Sequence, residues 1–292
     1  MNSRRSLLRT GGLTGLALGL TACAPTRVLN ALADSDTYTL KAGLPYGPDP
    51  RQRLDIYTPT RAAPGAGHPA ALFFYGGSWN KGERADYRFV GEALASRGVL
   101  TVVADYRLHP QVSYPDFLRD CAQALAWTLR EARGMGGDAH QVFVMGHSAG
   151  AYNAAMLALD PRWLAAEHHA PQQLAGWIGL AGPYDFVPIV NPDVRPVFHH
   201  PDVPPESQPI RHADHAAIRS FLGAAAEDSL VDPQRNTVQL ARRLEAHGTN
   251  VSLRLYERVN HVTLAGALAR PLRFLAPVLD DVEAFIKQTP TA

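Results

Sequence analysis

The stretch VFVMGHSAGAYNAAMLAL, residues 142–159, limits the chain more than any other. Four apolar residues run straight into Gly146-His147-Ser148-Ala149-Gly150, and a run compatible with a helix follows. Strand, tight turn and helix in immediate succession define a sharp elbow with Ser148 at its apex, its hydroxyl standing clear of the strand end. Gly146 and Gly150 remove the Cβ atoms that would collide where strand and helix pass each other. The helix start also offers free N–H groups and a partial positive charge where an oxyanion would form. His147 lies within the turn and is expected to support it rather than to act as the base. Tyr152, Met156 and Leu159 of the following helix are expected in the core.

From Arg51 onward, apolar runs alternate with helix-compatible runs. The predicted strands are 54–57, 71–75, 100–106, 142–145, 177–182, 218–225 and 251–257. The predicted helices lie near 86–96, 116–133, 149–159, 234–247 and 277–287. Several strands are apolar almost throughout, as expected when both sheet faces are covered. This alternation predicts an α/β fold with a mostly parallel central sheet flanked by helices, spanning 46–288. In such sheets a ligand sits beyond the carboxyl ends of the strands. Residues 183–213, rich in Pro and His and without clear periodicity, are expected to form a lid-like insertion over the site.

A serine hydroxyl is a weak nucleophile and needs a base. Elbow enzymes of this type carry the order Ser, acid, His along the chain. His261 follows the strand VSLRLYE and the loop RVN, and is expected as the base. The acid is expected after the strand FLGAA, where Glu227, Asp228 and Asp232 stand. Asp228, three residues before Val231, is preferred. Asp232 is the alternative, its other role being to cap the helix that begins near Pro233. The Gly76-Gly77-Ser78-Trp79 turn follows a buried strand and lets backbone N–H groups approach a developing oxyanion. The expected donors are Gly77, Ser78 and Ala149, and Trp79 is expected to wall the substrate pocket.

The segments FFYGGSWNKG, VVADYRLHP and GHSAGAY, in this order, resemble the α/β-hydrolase superfamily. Within it they are most similar to the esterase branches related to hormone-sensitive lipase, feruloyl esterases and arylformamidases. The resemblance covers about 50–288. It implies an α/β-hydrolase fold, a Ser148–Asp228–His261 triad, a carboxylic-ester hydrolase acting on a small-molecule ester, and no cofactor. It also implies that Asp105 and Arg107 brace the loops. The family's His-Gly-Gly reads Tyr75-Gly76-Gly77 here, and the third loop position is Ser78 rather than Gly. An arylformamidase-like amide hydrolase is the alternative chemistry. A non-catalytic envelope binding protein on the same scaffold is the alternative class.

The net charge of +1 gives no basic face for nucleic acid. The paired histidines 168–169, 199–200 and 212 with 215 lack a metal-ligand pattern, so no metal site is expected. The N-terminus reads as an address. Arg4-Arg5 resembles the twin-arginine export signal, an apolar segment follows, and Leu20-Thr21-Ala22-Cys23 matches the bacterial lipobox. Residues 1–23 are therefore expected to be an export signal with lipidation at Cys23. Residues 24–45 are expected to be a tether to a membrane of the cell envelope. With only two cysteines, Cys121 has no partner in the mature chain and is expected to be a buried, inert thiol.

Overall fold

The runs expected as strands pair into one sheet. The computed structural model describes residues 24–33, 35–215 and 217–288. Among these, eight strands form the sheet: β1 (Tyr38–Pro45), β2 (Arg53–Pro59), β3 (His68–Phe74), β4 (Leu100–Ala104), β5 (Gly137–His147), β6 (Gly176–Leu180), β7 (Ser220–Ala225) and β8 (Val251–Tyr256). Their order is β1-β2-β4-β3-β5-β6-β7-β8. β1 and β2 pair antiparallel, as do β2 and β4, and every other neighbour is parallel. This is the expected α/β-hydrolase sheet. β4, β6 and β7 are buried at every residue, which explains why their sequences are apolar but for Thr101 and Ser220.

The covering helices follow the strands. They are α1 (Ala24–Ala31), α2 (Arg88–Ser96), α3 (Asp116–Glu131), α4 (Ala149–Leu159), α5 (Arg162–Ala165), α6 (Gln239–Ala246), α7 (His261–Gly266) and α8 (Val278–Lys287). α8 lays Phe285 against Phe143 of β5 and Phe221 of β7. α4 follows β5 directly and is buried along its whole length, Tyr152, Met156 and Leu159 included. The run expected as a helix over 234–247 opens as a wide π-type turn, Gln234–Val238, before α6.

Two expectations meet corrections or boundaries. Residues 24–45 are not a tether: 24–31 form α1 and 38–45 form β1, paired with β2. β1 gave no signal because it is an edge strand with four consecutive exposed residues and a register slip between Lys41 and Leu44, so no apolar alternation marks it. The export signal and Cys23 lie outside the described residues. Among those described, no helix is long and apolar enough to cross a membrane.

Residues 183–213 form a folded arm. Three short 3-10 turns, Pro196–Phe198, Pro205–Ser207 and Pro209–His212, punctuate it. Phe198 is fully buried, its ring edge-on to Trp79 with centroids 4.8 Å apart. The Tyr152 hydroxyl donates to the Ser207 carbonyl at 2.7 Å.

The loop after β3 is fixed by a buried charged cluster. Asp105 accepts from the Tyr75 hydroxyl at 2.7 Å, from the Arg84 N–H at 2.7 Å and from the Arg84 guanidinium. The Tyr75 ring is stacked between Tyr87 and Tyr106. Arg107 forms a two-pronged pair with Asp120, itself 1% exposed. Asp105→Ala would strand three donors in a dry site, a loss of about 3 kcal/mol. Urea denaturation of that variant is expected to show a lower midpoint with an unchanged slope.

Candidate functional site

Ser148 joins β5 to α4 with φ 55° and ψ −122°, a conformation that L-residues rarely adopt. The neighbouring glycines make it possible. A Cβ on Gly146 would lie 2.1 Å from the Gly150 carbonyl oxygen, and one on Gly150 would lie 2.0 Å from that of Phe74. Ser148 N–H donates to Leu180 O at 2.8 Å, tying the elbow to the end of β6.

Two loops bring the partners. His261 opens α7 behind Asn260, whose side chain accepts from the N–H groups of Val262 and Thr263 while Thr263 Oγ1 accepts the Asn260 N–H. This reciprocal cap fixes where the helix starts and so where the imidazole points. The Ser148 hydroxyl donates to His261 Nε2 at 2.8 Å, and His261 Nδ1–H donates to Asp228 Oδ2 at 2.7 Å. Asp228 Oδ1 accepts from the N–H groups of Leu230 and Val231. Burial works to raise the Asp228 carboxyl, but the His261 hydrogen bond and these two N–H donors outweigh it and hold it below its usual value. Asp232 is turned elsewhere, accepting from Gln234 and Arg235 N–H groups as a cap. Of the candidate acids, Asp228 is the one brought to His261.

The loop after β3 approaches Ser148 from the other side. A Cβ on Gly76 would lie 2.9 Å from Ser148 Cβ. Gly77 has φ 123°, and Ser78 and Trp79 follow at 53° and 57°. Asn80 and Lys81 N–H groups both donate to Gly77 O, which locks the turn. Among the described residues, the N–H groups of Gly77, Ser78 and Ala149 meet no backbone acceptor. Trp79 is fixed by donation to Asn153 Oδ1 at 3.0 Å.

His147 adds a contact that its place in the motif does not announce. Its Nε2–H donates to the carbonyl of His261 at 2.8 Å, and the two rings lie 5.0 Å apart. Burial, followed by the neighbouring His261, lowers its pKa to about 3, so the ring is neutral.

Ser148 lies between two cavities. One, about 680 Å³, runs toward α1 and α7. The other, about 380 Å³, lies under residues 183–194 and includes Trp79 in its wall. α1 was invisible as a site element because only Val28 and Leu29 interrupt an otherwise polar or small run. Cys121 is buried, and burial pushes its thiol well up. Among the described residues, His199 bonds the Tyr114 carbonyl and His212 that of Glu206.

The neutrality of His147 has a consequence for acid stability. Its folded pKa is depressed from 6.5 to about 3, so the unfolded chain binds the proton first as pH falls. Its contribution is complete above the unfolded value and is lost through this window, by up to about 1.4 kcal/mol per pH unit. Chemical denaturation between pH 7 and 4 is expected to show that slope, flattened in His147→Gln.

The BD-FAE family pattern matches residues 54–243. A probable isoprenylcysteine α-carbonyl methylesterase of Oryza sativa subsp. japonica is 34% identical over 152 residues, 50% of this chain and 36% of that protein. The chain thus spans little more than a third of the first curated relatives it matches. A kynurenine formamidase of Danio rerio is 24% identical, covering 80% of this chain and 78% of that protein. Among solved structures, the esterase of the archaeon Pyrobaculum calidifontis superposes with a TM-score of 0.73 at 20% identity, over 90% of this chain and 89% of that one. With its matched segment running through the elbow and the acid loop, on an α/β-hydrolase sheet, this chain belongs to the BD-FAE family.

Proposed function

We propose that the protein is a serine hydrolase that cleaves carboxylic esters through an acyl-enzyme. The observation that carries the reading is the unbroken hydrogen-bond chain from Ser148 through His261 to Asp228. His261 Nε2 takes the hydroxyl proton as Oγ attacks the carbonyl carbon. Asp228 holds the imidazole by its Nδ1–H and stabilises the cation that forms. The N–H groups of Gly77, Ser78 and Ala149 receive the oxyanion, each donor contributing about 3 kcal/mol in the transition state. The alcohol departs with the proton from His261. Water, deprotonated by the same nitrogen, then releases the acid and restores Ser148.

Kinship with named esterases supports ester hydrolysis. The likeness to kynurenine formamidase over four-fifths of this chain favours a second reading, hydrolysis of an aryl formamide by the same groups. The two differ in the leaving atom, so paired aryl formates and aryl formamides separate them.

Ser148→Ala is expected to lower hydrolysis of p-nitrophenyl acetate by about 10⁶ in kcat, with the circular dichroism spectrum unchanged. A fluorophosphonate probe is expected to label the parent protein and not the variant. Substantial turnover by the variant, or a parent that resists the probe and turns over neither ester nor formamide, would favour a binding protein.

The reading includes export and lipidation at Cys23, in keeping with Arg4-Arg5 and the Leu20–Cys23 pattern. Palmitate labelling in a bacterial host is expected for the full chain and is expected to vanish in Cys23→Ser.

A further inference from the structure

The two cavities beside Ser148 have walls from different parts of the chain. The larger is bounded by Val28 and Leu29 of α1, by Phe89, and by Val262, Ala265 and Gly266 of α7. The smaller is bounded by the arm, through Phe186, Ile189 and Val194, and takes in Ala149.

The path of the proton decides which limb of an ester enters which cavity. When the tetrahedral intermediate collapses, the bond to the alcohol oxygen breaks. That oxygen takes the proton that His261 Nε2 received from Ser148. The alcohol limb must therefore leave on the His261 side. His261 itself borders both cavities, but beyond it the chain continues as α7, whose Val262, Thr263, Ala265 and Gly266 contribute to the larger cavity and not to the smaller. The acyl limb then points toward Ala149 and the arm.

We infer that the larger cavity is the leaving-group site, that it takes an apolar alcohol limb, and that α1 is the wall that selects for it; this rests on the ester-hydrolase reading above. Apart from Lys81, Thr26, Tyr87, Thr263 and the polar groups around Ser148, the cavity is surfaced by apolar and small side chains. Such a surface rewards apolar length and gives nothing back to a charged or sugar-like alcohol.

Asn30 clasps α1 to the neighbouring turn and to α2. Asn30 Nδ2 donates to Ala85 O at 2.8 Å, and Asn30 Oδ1 accepts the Phe89 N–H at 3.1 Å. The second bond caps the first turn of α2, which has no cap from its own N-terminal residue. Asn30 itself is not part of the cavity surface. It holds Val28 and Leu29, which are, without touching the reacting groups.

The test measures kcat/KM for two ester series on the full chain: acetates of ethanol, butanol and octanol, and ethyl esters of acetic, butyric and octanoic acids. Each methylene buried in the alcohol limb is worth at most about fourfold. Octyl acetate is therefore expected to exceed ethyl acetate by more than about tenfold, while lengthening the acyl limb to octanoate brings no such gain. Asn30→Ala is expected to cut the octyl-to-ethyl ratio about fivefold by releasing the α1 clasp, with ethyl acetate turnover within about twofold of the parent. Leu29→Ala is expected to lower the same ratio. A preference that follows the acyl series, or an Asn30→Ala variant that slows both acetates equally, overturns the inference and leaves the hydrolase reading standing. Failure to hydrolyse any ester in either series overturns both.

Discussion

The close passage of β5 and α4 at Gly146 and Gly150 is the constraint on which the site rests. With contacts this tight, side chains at these two positions would collide with main-chain oxygens rather than with movable groups. The geometry leaves Ser148 at φ 55°, a local cost of about 1–3 kcal/mol. The surrounding sheet supports that strain. Ser148 N–H is pinned to the end of β6, its carbonyl accepts the Ala151 and Tyr152 N–H groups of α4, and α4 is buried along its length. Relaxing the elbow would require α4 to move off the sheet. The backbone under the hydroxyl is thus held in place by the burial of a helix, and the hydroxyl itself by its bond to His261.

Electrostatics around this point follow from a division between wet and dry groups. Asp228 stays ionised because two N–H donors and His261 answer its charge. His147, as deeply placed, has one donor bond to a carbonyl and no anion of its own, so it stays neutral. A second cation 5.0 Å from His261 would oppose protonation of the base. The neutral ring instead anchors the His261 main chain and leaves its charge to Asp228. The oxyanion loop relies on a further charged cluster one layer below, where Arg84 and Tyr75 converge on Asp105. Tyr75 is fixed ahead of the two glycines at both ends: its hydroxyl reaches down to Asp105, while its ring is held between two others.

The legible parts of the sequence were those where one requirement fixes both residue type and spacing. The elbow is of this kind, and so are the buried strands, since each writes its geometry as glycines or apolar runs. Asp228 and His261 were legible as loop positions after strands. Asp228 was preferred to Asp232 for its place three residues before Val231, as in the loops it resembles, and the cap offered as the other role of Asp232 is the one it fills, on Gln234 and Arg235. What the sequence hid was the periphery. β1 lies at an edge with both faces exposed over four consecutive residues, so no alternation betrays it. α1 has one turn of apolar side chains and gains its order from Asn30, whose partners lie more than fifty residues away. The bond between His147 and the His261 carbonyl spans 114 positions and has no local signature.

That hidden periphery bears on the family. The matched region, 54–243, contains the nucleophile, the loop after β3 and the acid, yet it omits α1 and α7. Those two helices form opposite walls of the larger cavity. The matched core therefore holds Ser148 and Asp228, whereas His261 and the parts of the larger cavity given by α1 and α7 lie outside it. α7 carries His261 and is tied to Ser148, Asp228 and His147, so that wall cannot change without changing the site. α1 carries none of these groups and is docked through Asn30, so it can differ while the strained serine stays as it is. A rigid core beside such a wall lets the choice of substrate vary apart from the chemistry.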